Sequence, residues 1–307
     1  MNAAAIKAVV NQPVGIRLER EAWDRAVEVA NGFWMIATRH RPGFSKMQPI
    51  VNNRCLVFRL RDQGRGQDVL FVSNGVDAAA IPEVKKLEQQ TGLKVRYVLS
   101  PGGGHHLLMP AWRDQFPDAE VLVGPLRIPF TTGGKQLLEG GRVKLMDLND
   151  PLPQFRGELE IVIFSGLHGF RDTQGPYEGK REGMFSMLSL MKEMMSLSTP
   201  VDEVWLCHRA TGTVIGGENL GWILSEATVK TFPFFMRGMM RANTVYIQDK
   251  ARKVADPQAV SRAWHRVLSW PCRTLIGYHE PVGEGFVGDG QVALHEAVKK
   301  AGQLLAD

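Results

Sequence analysis

The chain has 307 residues, of which 44% are hydrophobic and 22% are charged, an ordinary composition for a soluble protein. Its formal net charge of +5 comes from scattered basic residues, without the Lys/Arg stripe that is typical of a nucleic-acid surface. A mildly basic chain is equally compatible with small anionic substrates. No apolar run reaches the roughly 18 residues that cross a bilayer, and the first residues lack a signal-peptide pattern, so we expect neither a nucleic-acid partner nor a membrane span.

The first half of the chain is predicted to be rich in strands. A helical pattern at residues 20–30 comes first. Segments with the composition or alternation of β-strands follow at residues 33–38, 53–60, 68–73, 94–100 and 119–124. Between the third and fourth of these, Ile81, Val84 and Leu87 recur at helical spacing, in a helix predicted to end at Gly92.

The second half also alternates between strands and helices. Strands are predicted at residues 158–166, 202–208, 212–217 and 273–279, and helices at 183–198, 256–271 and 290–305. The second and third of these strands are close enough in sequence to pair with each other. Strands with attached helices in both halves predict two packed sheets or one large mixed sheet, with helices outside.

The length of the chain bears on the domain organisation, and its cysteines bear on the cellular location. The length allows two domains, but one large α/β domain also fits. We expect residues 1–30 to be an N-terminal extension and residues 31–307 to form a single domain. Cys55, Cys207 and Cys272 are odd in number and form no CxxC spacing, which indicates reduced thiols in an intracellular protein and predicts a cytoplasmic location.

Methionine and phenylalanine are concentrated in two apolar segments, residues 183–198 and 232–240. Such flexible side chains are typical of core packing. A dimer surface and the wall of an apolar substrate pocket are the alternatives, so a homodimer is one expectation for this chain.

Several histidines stand at the ends of predicted strands. They are His105 and His106, directly after three glycines, and further along the chain His168 and His279. Loops that follow strands converge at one edge of an α/β sheet, where ligands collect, and imidazole is the commonest metal ligand. Glu218, after another strand, supplies a carboxylate that completes a metal set. Each histidine taken alone also fits a structural role.

The glycines before His105 favour a second interpretation. Backbone N–H groups of a glycine-rich loop at the start of a helix bind anions. His105 and His106 would then donate hydrogen bonds to a phosphate or carboxylate, and no metal would be needed.

The order of these elements resembles the metallo-β-lactamase fold superfamily, a four-layer αββα sandwich. The resemblance runs from about Gly32 to the C-terminus and rests on "SPGGGHH" after a strand, followed by "SGLH", "GTVIGGEN" and "IGYHEPVGEG". It is closest to a divergent branch with an early "NR" pair, "HH" before a "W…FP" segment and a late "W…H" element. In this chain the corresponding residues are Asn53-Arg54, His105-His106, Trp112 to Pro117, and Trp270 to His279.

The superfamily carries an HxHxDH motif, whose side chains and later ligands hold two metal ions. On this chain the ligand positions fall in order on Pro101, Gly103, His105, His106, His168, Glu218 and His279. A shift of one residue would replace Glu218 by Gly217. The first metal position keeps only His168, whereas the second keeps the other histidines and Glu218. The resemblance therefore implies at most one divalent ion, with His168 as an optional fifth ligand; zinc suits the set best, with iron or manganese as alternatives.

The resemblance implies a metal-dependent hydrolase with a mononuclear site. Metal-activated water would attack an ester, lactone, amide or phosphoester of a small-molecule substrate. Glu218 is the catalytic candidate that orients this water, and Asn219 is the neighbouring alternative. The competing hypothesis is a non-catalytic or metal-free protein that binds an anion or small molecule on the same fold, because fold does not determine function. The acidic loop at residues 170–183 fits either a solvated loop or a lid.

Overall fold

Two β-sheets packed face to face form the centre of the structure. The computed structural model of the chain describes residues 23–40, 51–73, 78–102, 105, 109–126, 128, 132–170, 197–217, 219–221, 223–230, 237, 242, 244–247, 253–280, 285–287 and 289–305. Within this part of the chain, every strand belongs to one of the two sheets.

The first sheet has seven strands that lie side by side in chain order. They are β1 (Ala26–Ala30), β2 (Phe33–His40), β3 (Val51–Asp62), β4 (Gln67–Ser73), β5 (Val95–Leu99), β6 (Glu120–Val123) and β7 (Val143–Leu145). Strands β1 to β4 are antiparallel to their neighbours, whereas β4 to β7 pair in parallel. Parallel pairs need crossover connections, which contain α1 (Ile81–Thr91), α2 (Met109–Gln115) and α3 (Thr132–Glu139).

The second sheet has six strands in the order β11-β8-β9-β10-β12-β13. They are β8 (Leu159–Phe170), β9 (Leu197–His208), β10 (Thr213–Ile215), β11 (Lys253–Val254), β12 (Thr274–Ile276) and β13 (Phe286–Val287). Strands β10 and β12 pair in parallel, and α4 (Glu226–Val229) and α5 (Pro257–Leu268) lie between them in the sequence. The last helix is α6 (Gly290–Lys300).

Three apolar cores separate the layers. Phe58 and Leu206 belong to the core between the two sheets. Trp112 of α2 packs with α1 and α3 on the outer face of the first sheet. Trp264 of α5 and Leu294 of α6 pack on the outer face of the second sheet. Helices therefore cover both sheets, and the predicted four-layer αββα sandwich is confirmed.

The helix ends follow local sequence. Asp256 caps α5, because its carboxylate accepts a hydrogen bond from the N–H of Ala259 at 3.0 Å, and Pro257 lies in the first turn. Gly92 ends α1 in the left-handed conformation, with a φ of 69°. No helix in the described ranges is both long enough and apolar enough to cross a bilayer.

Most of the predicted elements are confirmed. The nine predicted strands coincide in large part with β2 to β6, β8, β9, β10 and β12. The predicted pairing of residues 202–208 with 212–217 is the antiparallel pair β9–β10. The helices predicted to end at Gly92, to start near Asp256 and to close the chain are α1, α5 and α6.

The helix predicted at residues 20–30 is wrong for its second half, because residues 26–30 form β1. This strand is the edge of the first sheet and pairs antiparallel with β2. Val27 and Val29 are β-branched, and both pack on the core between the sheets. Sheet pairing therefore overrides a weak helical pattern. The boundary predicted for the N-terminal extension stays a prediction.

The strand predicted to end at Gly166 continues beyond it. The register of β8 against β9 shifts between Phe164 and Leu167, which is a β-bulge. Gly166 has a φ of 84°, and its carbonyl oxygen accepts a hydrogen bond from the N–H of Ala255. The "SG" pair therefore marks a bulge and not a strand end, and His168 lies within β8.

Three predicted segments lie mainly outside the described residues. The methionine-rich helix at 183–198 falls there except for its last two residues, which begin β9. The apolar segment at 232–240 is described only at Arg237, and the acidic loop at 170–183 only at its first residue. The three cysteines are free thiols and are buried.

His208 is a titratable group in the core between the sheets. It is the last residue of β9 and is 5% exposed. The centre of its ring lies 5.5 Å from that of Phe33 and 5.2 Å from that of Phe58. Its Nδ1 is 3.0 Å from Oγ1 of Thr211. Burial lowers the pKa of His208 to about 4, because a charged imidazole would lose its hydration there.

We expect His208 to weaken the fold in mild acid. Its pKa in the unfolded chain is about 6.5, so between about pH 6.5 and about pH 4 the unfolded state binds a proton that the folded state does not. The free energy of unfolding should therefore fall by up to about 3 kcal/mol as the pH drops through this window. In His208→Phe, the free energy of unfolding measured with urea should fall less over this pH range. The difference from the wild-type chain should be about 3 kcal/mol.

The matched control is His295→Gln, because His295 is exposed on α6. This variant should keep the pH dependence of the wild-type chain. The same pH dependence in His208→Phe as in the wild-type chain would contradict the assignment to His208.

Candidate functional site

The loop after β5 crosses from the first sheet to the second. The carbonyl oxygen of Pro101 accepts a hydrogen bond from the N–H of Val204 in β9 at 3.0 Å. Gly102 forms an antiparallel bridge with Glu203, on the part of β9 that β10 leaves open. Gly102 has a φ of 109°, and a Cβ there would lie 2.0 Å from the carbonyl oxygen of Asp202. The connection therefore requires glycine.

The segment after β12 makes the reciprocal connection. The carbonyl oxygen of Tyr278 accepts a hydrogen bond from the N–H of Arg54 in β3 at 2.8 Å. Among the described residues, strand β4 pairs with β3 only as far as Ser73, and this bond lies beyond that point on β3. The hydroxyl oxygen of Tyr278 is 2.7 Å from Oγ of Ser73, which adds a side-chain link between the sheets.

These two connections bring His105 and His279 together. The N–H of His105 donates to the carbonyl oxygen of Gly102 at 3.1 Å, and the His105 side chain is buried. The ring centres of His105 and His279 are 5.5 Å apart. The ring of Tyr278 lies 6.1 Å from that of His105. Two predicted metal ligands from different sheets therefore meet at one place.

A buried ion pair lies beside His279. Nη1 of Arg54 is 3.4 Å from Oε2 of Glu280, and the two side chains are 0% and 1% exposed. The same Arg54 nitrogen donates to the carbonyl oxygen of Gly277 at 3.1 Å. The Glu280 carboxylate also accepts hydrogen bonds from the N–H groups of Gly277 and Ile223, each at 3.0 Å. Charge pairing and hydrogen bonds together offset part of the cost of burying these charges.

Strand β9 carries two further buried acids near the point where the Gly102 loop docks. Asp202 is 2% exposed and Glu203 is 0% exposed. Both carboxylate oxygens of Asp202 lie 3.0 Å from the backbone nitrogen of Leu126, just after β6. Asp202 therefore ties the second sheet to the first. Glu203 faces the loop after β10, where a Cβ on Gly217 would lie 3.0 Å from Oε2 of Glu203.

Asn219 anchors the loop after β10. Its Oδ1 accepts a hydrogen bond from Nε1 of Trp205 at 2.7 Å, and Asn219 is 1% exposed. Its amide nitrogen has no hydrogen-bond partner within the described part of the chain. The preceding residue, Glu218, lies outside the described residues.

The structure describes three of the five predicted metal ligands. His105 and His279 are brought together, whereas His106 and Glu218 lie outside the described residues. Among the residues that are described, no three His, Cys, Asp or Glu side chains are grouped so that they could hold a metal ion. The full ligand set therefore stays a prediction.

His168 lies further along the second sheet. It is opposite Pro200 of β9 and Lys253 of β11. Pro200 is three residues from Glu203, where the Gly102 loop docks, and three residues of strand span roughly 10 Å. His168 is therefore separated along the sheet from the docking point that places His105. Its role as an optional fifth ligand stays a prediction.

Sequence reasoning missed the buried charges around the histidines. Glu280 directly follows a predicted ligand at a strand end, and Asp202 and Glu203 are adjacent acids within an apolar strand. Acids in such positions are expected to be paired or hydrogen-bonded. The signal was therefore present, but the sequence does not identify the partners, such as Arg54.

The close approach at Gly102 gives a prediction about stability. Gly102→Ala should destabilise the chain by about 3 kcal/mol or more, because the added Cβ collides with the backbone of β9 in addition to the strain of a positive φ. Gly92→Ala is the matched control, since its φ is also positive but its Cβ meets nothing within 4 Å. It should cost about 1–2 kcal/mol. Urea unfolding compares the two, and equal losses would contradict the docking contact.

Comparisons with known proteins were made at the level of sequence and of structure. No protein-family model matches the chain, and no curated protein matches it in sequence. A metallo-β-lactamase from Erythrobacter litoralis matches in structure with a TM-score of 0.50 and 14% identity, over 94% of this chain and 95% of that one. A fragment of a putative diflavin flavoprotein from Nostoc sp. PCC 7120 matches with a TM-score of 0.51 and 10% identity, over 95% and 98% of the two chains. The chain therefore has the fold of these metallo-β-lactamase-like structures.

Proposed function

We propose that the chain is a metal-dependent hydrolase with a single divalent ion, zinc in the first place and iron or manganese as alternatives. The observation that carries the proposal is the distance of 5.5 Å between the ring centres of His105 and His279. Two imidazoles that share one tetrahedral zinc ion, with Zn–N distances of about 2 Å, hold their ring centres about 5 Å apart. The two rings therefore fit a shared ion, and the fold supports the same class of activity.

His106 and Glu218 complete the proposed ligand set, as nitrogen and oxygen donors to the same ion. Three or four such donors suit a zinc site that keeps a position open for water or substrate. His168 is the optional fifth ligand. When bound, the ion supplies a Lewis acid for the hydrolysis of an ester, lactone, amide or phosphoester in a small-molecule substrate.

Glu218 is the residue that we propose to orient the attacking water. Asn219 is the neighbouring candidate, but its side-chain oxygen already accepts a hydrogen bond from Nε1 of Trp205 at 2.7 Å. Its side chain is also 1% exposed, which keeps it away from a solvent-accessible substrate. A carboxylate is the stronger proton acceptor of the two groups, and this favours Glu218.

Metal content tests the proposal. The full chain, purified after expression with zinc, iron and manganese supplied, should contain about one equivalent of one of these metals, the number that a single mononuclear site holds. His106→Ala and His279→Ala should each lose most of it, because each removes one of few ligands. His295→Ala is the matched control, since His295 is exposed on α6, and it should keep the wild-type metal content. Inductively coupled plasma mass spectrometry measures the three variants beside the wild-type chain.

Activity is screened on lactones, esters and phosphodiesters with and without a chelator. Hydrolysis that stops with the chelator supports the proposal. A wild-type chain without any bound transition metal under replete conditions would contradict it. Metal retained equally in His106→Ala and His279→Ala would contradict the ligand set. Chelator-insensitive binding of phosphate compounds would instead favour a metal-free anion-binding protein.

A further inference from the structure

The carboxylate of Glu280 joins segments that are far apart in sequence. Its Oε1 accepts a hydrogen bond from the N–H of Ile223, and its Oε2 accepts one from the N–H of Gly277. Oε2 also lies 3.4 Å from Nη1 of Arg54. The three partners belong to the chain after β10, to the residue that directly follows β12 and to the interior of β3. One buried side chain therefore connects both sheets at the candidate site.

Arg54 holds the same segment from the other side. Its Nη1 donates to the carbonyl oxygen of Gly277, and its backbone N–H donates to the carbonyl oxygen of Tyr278. The residues on both sides of His279 are therefore tied down, Gly277 and Tyr278 before it and Glu280 after it. A side chain at Gly277 would displace the Glu280 carboxylate, because a Cβ there would lie 2.6 Å from its Oε1.

A buried ion pair often stabilises a fold no better than well-packed apolar side chains would. Removing two charges from water is costly, and well-packed apolar residues of similar volume often stabilise a fold as well or better. Unlike apolar contacts, hydrogen bonds to a charged group fix distances and directions. The two hydrogen bonds and the ion pair around Glu280 are of this kind, and they surround the backbone that carries His279.

We infer that Arg54 and Glu280 are positioning residues that set the ring of His279 opposite that of His105. The inference deepens the proposed function and rests on it, because the purpose of this arrangement is to prepare two imidazoles for one ion. The geometry itself is a property of the chain without metal, and it can be measured without metal.

The first experiment uses the full-length, metal-free chain with selectively labelled histidine. A nuclear Overhauser cross-peak between ring protons of His105 and His279 reports their proximity, and His105→Gln and His279→Gln assign it. The wild-type chain should show this cross-peak, and Glu280→Gln should lose it. Asp68→Asn is the matched control, because it removes an ion pair with Arg59 on the exposed surface. It should keep the cross-peak.

A second variant separates positioning from stability. In Arg54→Met with Glu280→Leu, apolar side chains replace the pair, so the variant is expected to fold even where Glu280→Gln does not. It cannot restore the hydrogen bonds to Gly277 and Ile223. The cross-peak should therefore stay absent, although the free energy of unfolding measured with urea should recover part of the loss seen in Glu280→Gln, because no buried charge is left unpaired. A cross-peak of wild-type intensity in folded Glu280→Gln, or in the folded double variant, would overturn the inference.

Metal affinity provides the link to the proposed function. Titration with Co²⁺ against a chromophoric chelator should show binding weakened about 10–100-fold in the double variant, as for other residues that orient a metal ligand. The visible spectrum of bound Co²⁺ should change as well. A wild-type chain that binds no Co²⁺ contradicts the proposed function, whereas the cross-peaks decide the positioning of His279 independently.

Discussion

Two backbone hydrogen bonds that run in opposite directions between the sheets determine the geometry of the candidate site. Pro101, after β5 of the first sheet, accepts from Val204 in the second, and Tyr278, after β12 of the second, accepts from Arg54 in the first. In the part of the chain that the structure describes, each bond forms beyond the last paired residue of the neighbouring strand. A buried N–H without a hydrogen-bond partner is costly. Each of the two loops supplies the carbonyl oxygen that pairs such an N–H, and this brings His105 and His279 together.

Most of the buried Asp, Glu and Arg side chains among the described residues lie at the same end of the sandwich, whereas Asp62 is buried at the other end of β3. The interior between the sheets is apolar over most of its extent, but Arg54 in β3, Asp202 in β9 and Glu280 after β12 are buried near the candidate site. Each of these three groups makes at least one contact with a chain segment that is distant in sequence. Apolar packing holds the layers together without fixing their loops to within an ångström, whereas these directional bonds do. This difference between apolar packing and directional bonds explains why the candidate site lies at this end of the sandwich and not along the sheet faces.

Sequence patterns predicted the sheets well because alternation and apolar runs are local properties. They failed at residues 26–30, where the pairing of an edge strand decided the conformation. They also failed at Gly166, where a glycine that signals a strand end sits in a bulge whose existence depends on β9 and on the chain near Ala255. At the site, residue chemistry identified His105 and His279, but the ion pair beside them could not be found, because its members are separated by most of the chain.

The sequence by itself determined the layered α/β architecture and the two strands, β5 and β12, after which His105 and His279 lie. These features follow from composition and from short-range periodicity, which can be read from short segments of the sequence. Only the tertiary structure decided that His105 and His279 meet at 5.5 Å while His168 lies further along β8. That outcome depends on the register between strands and on which loop completes which ladder. Both are set by contacts between residues such as Gly102 and Glu203, which lie about a third of the chain apart in sequence.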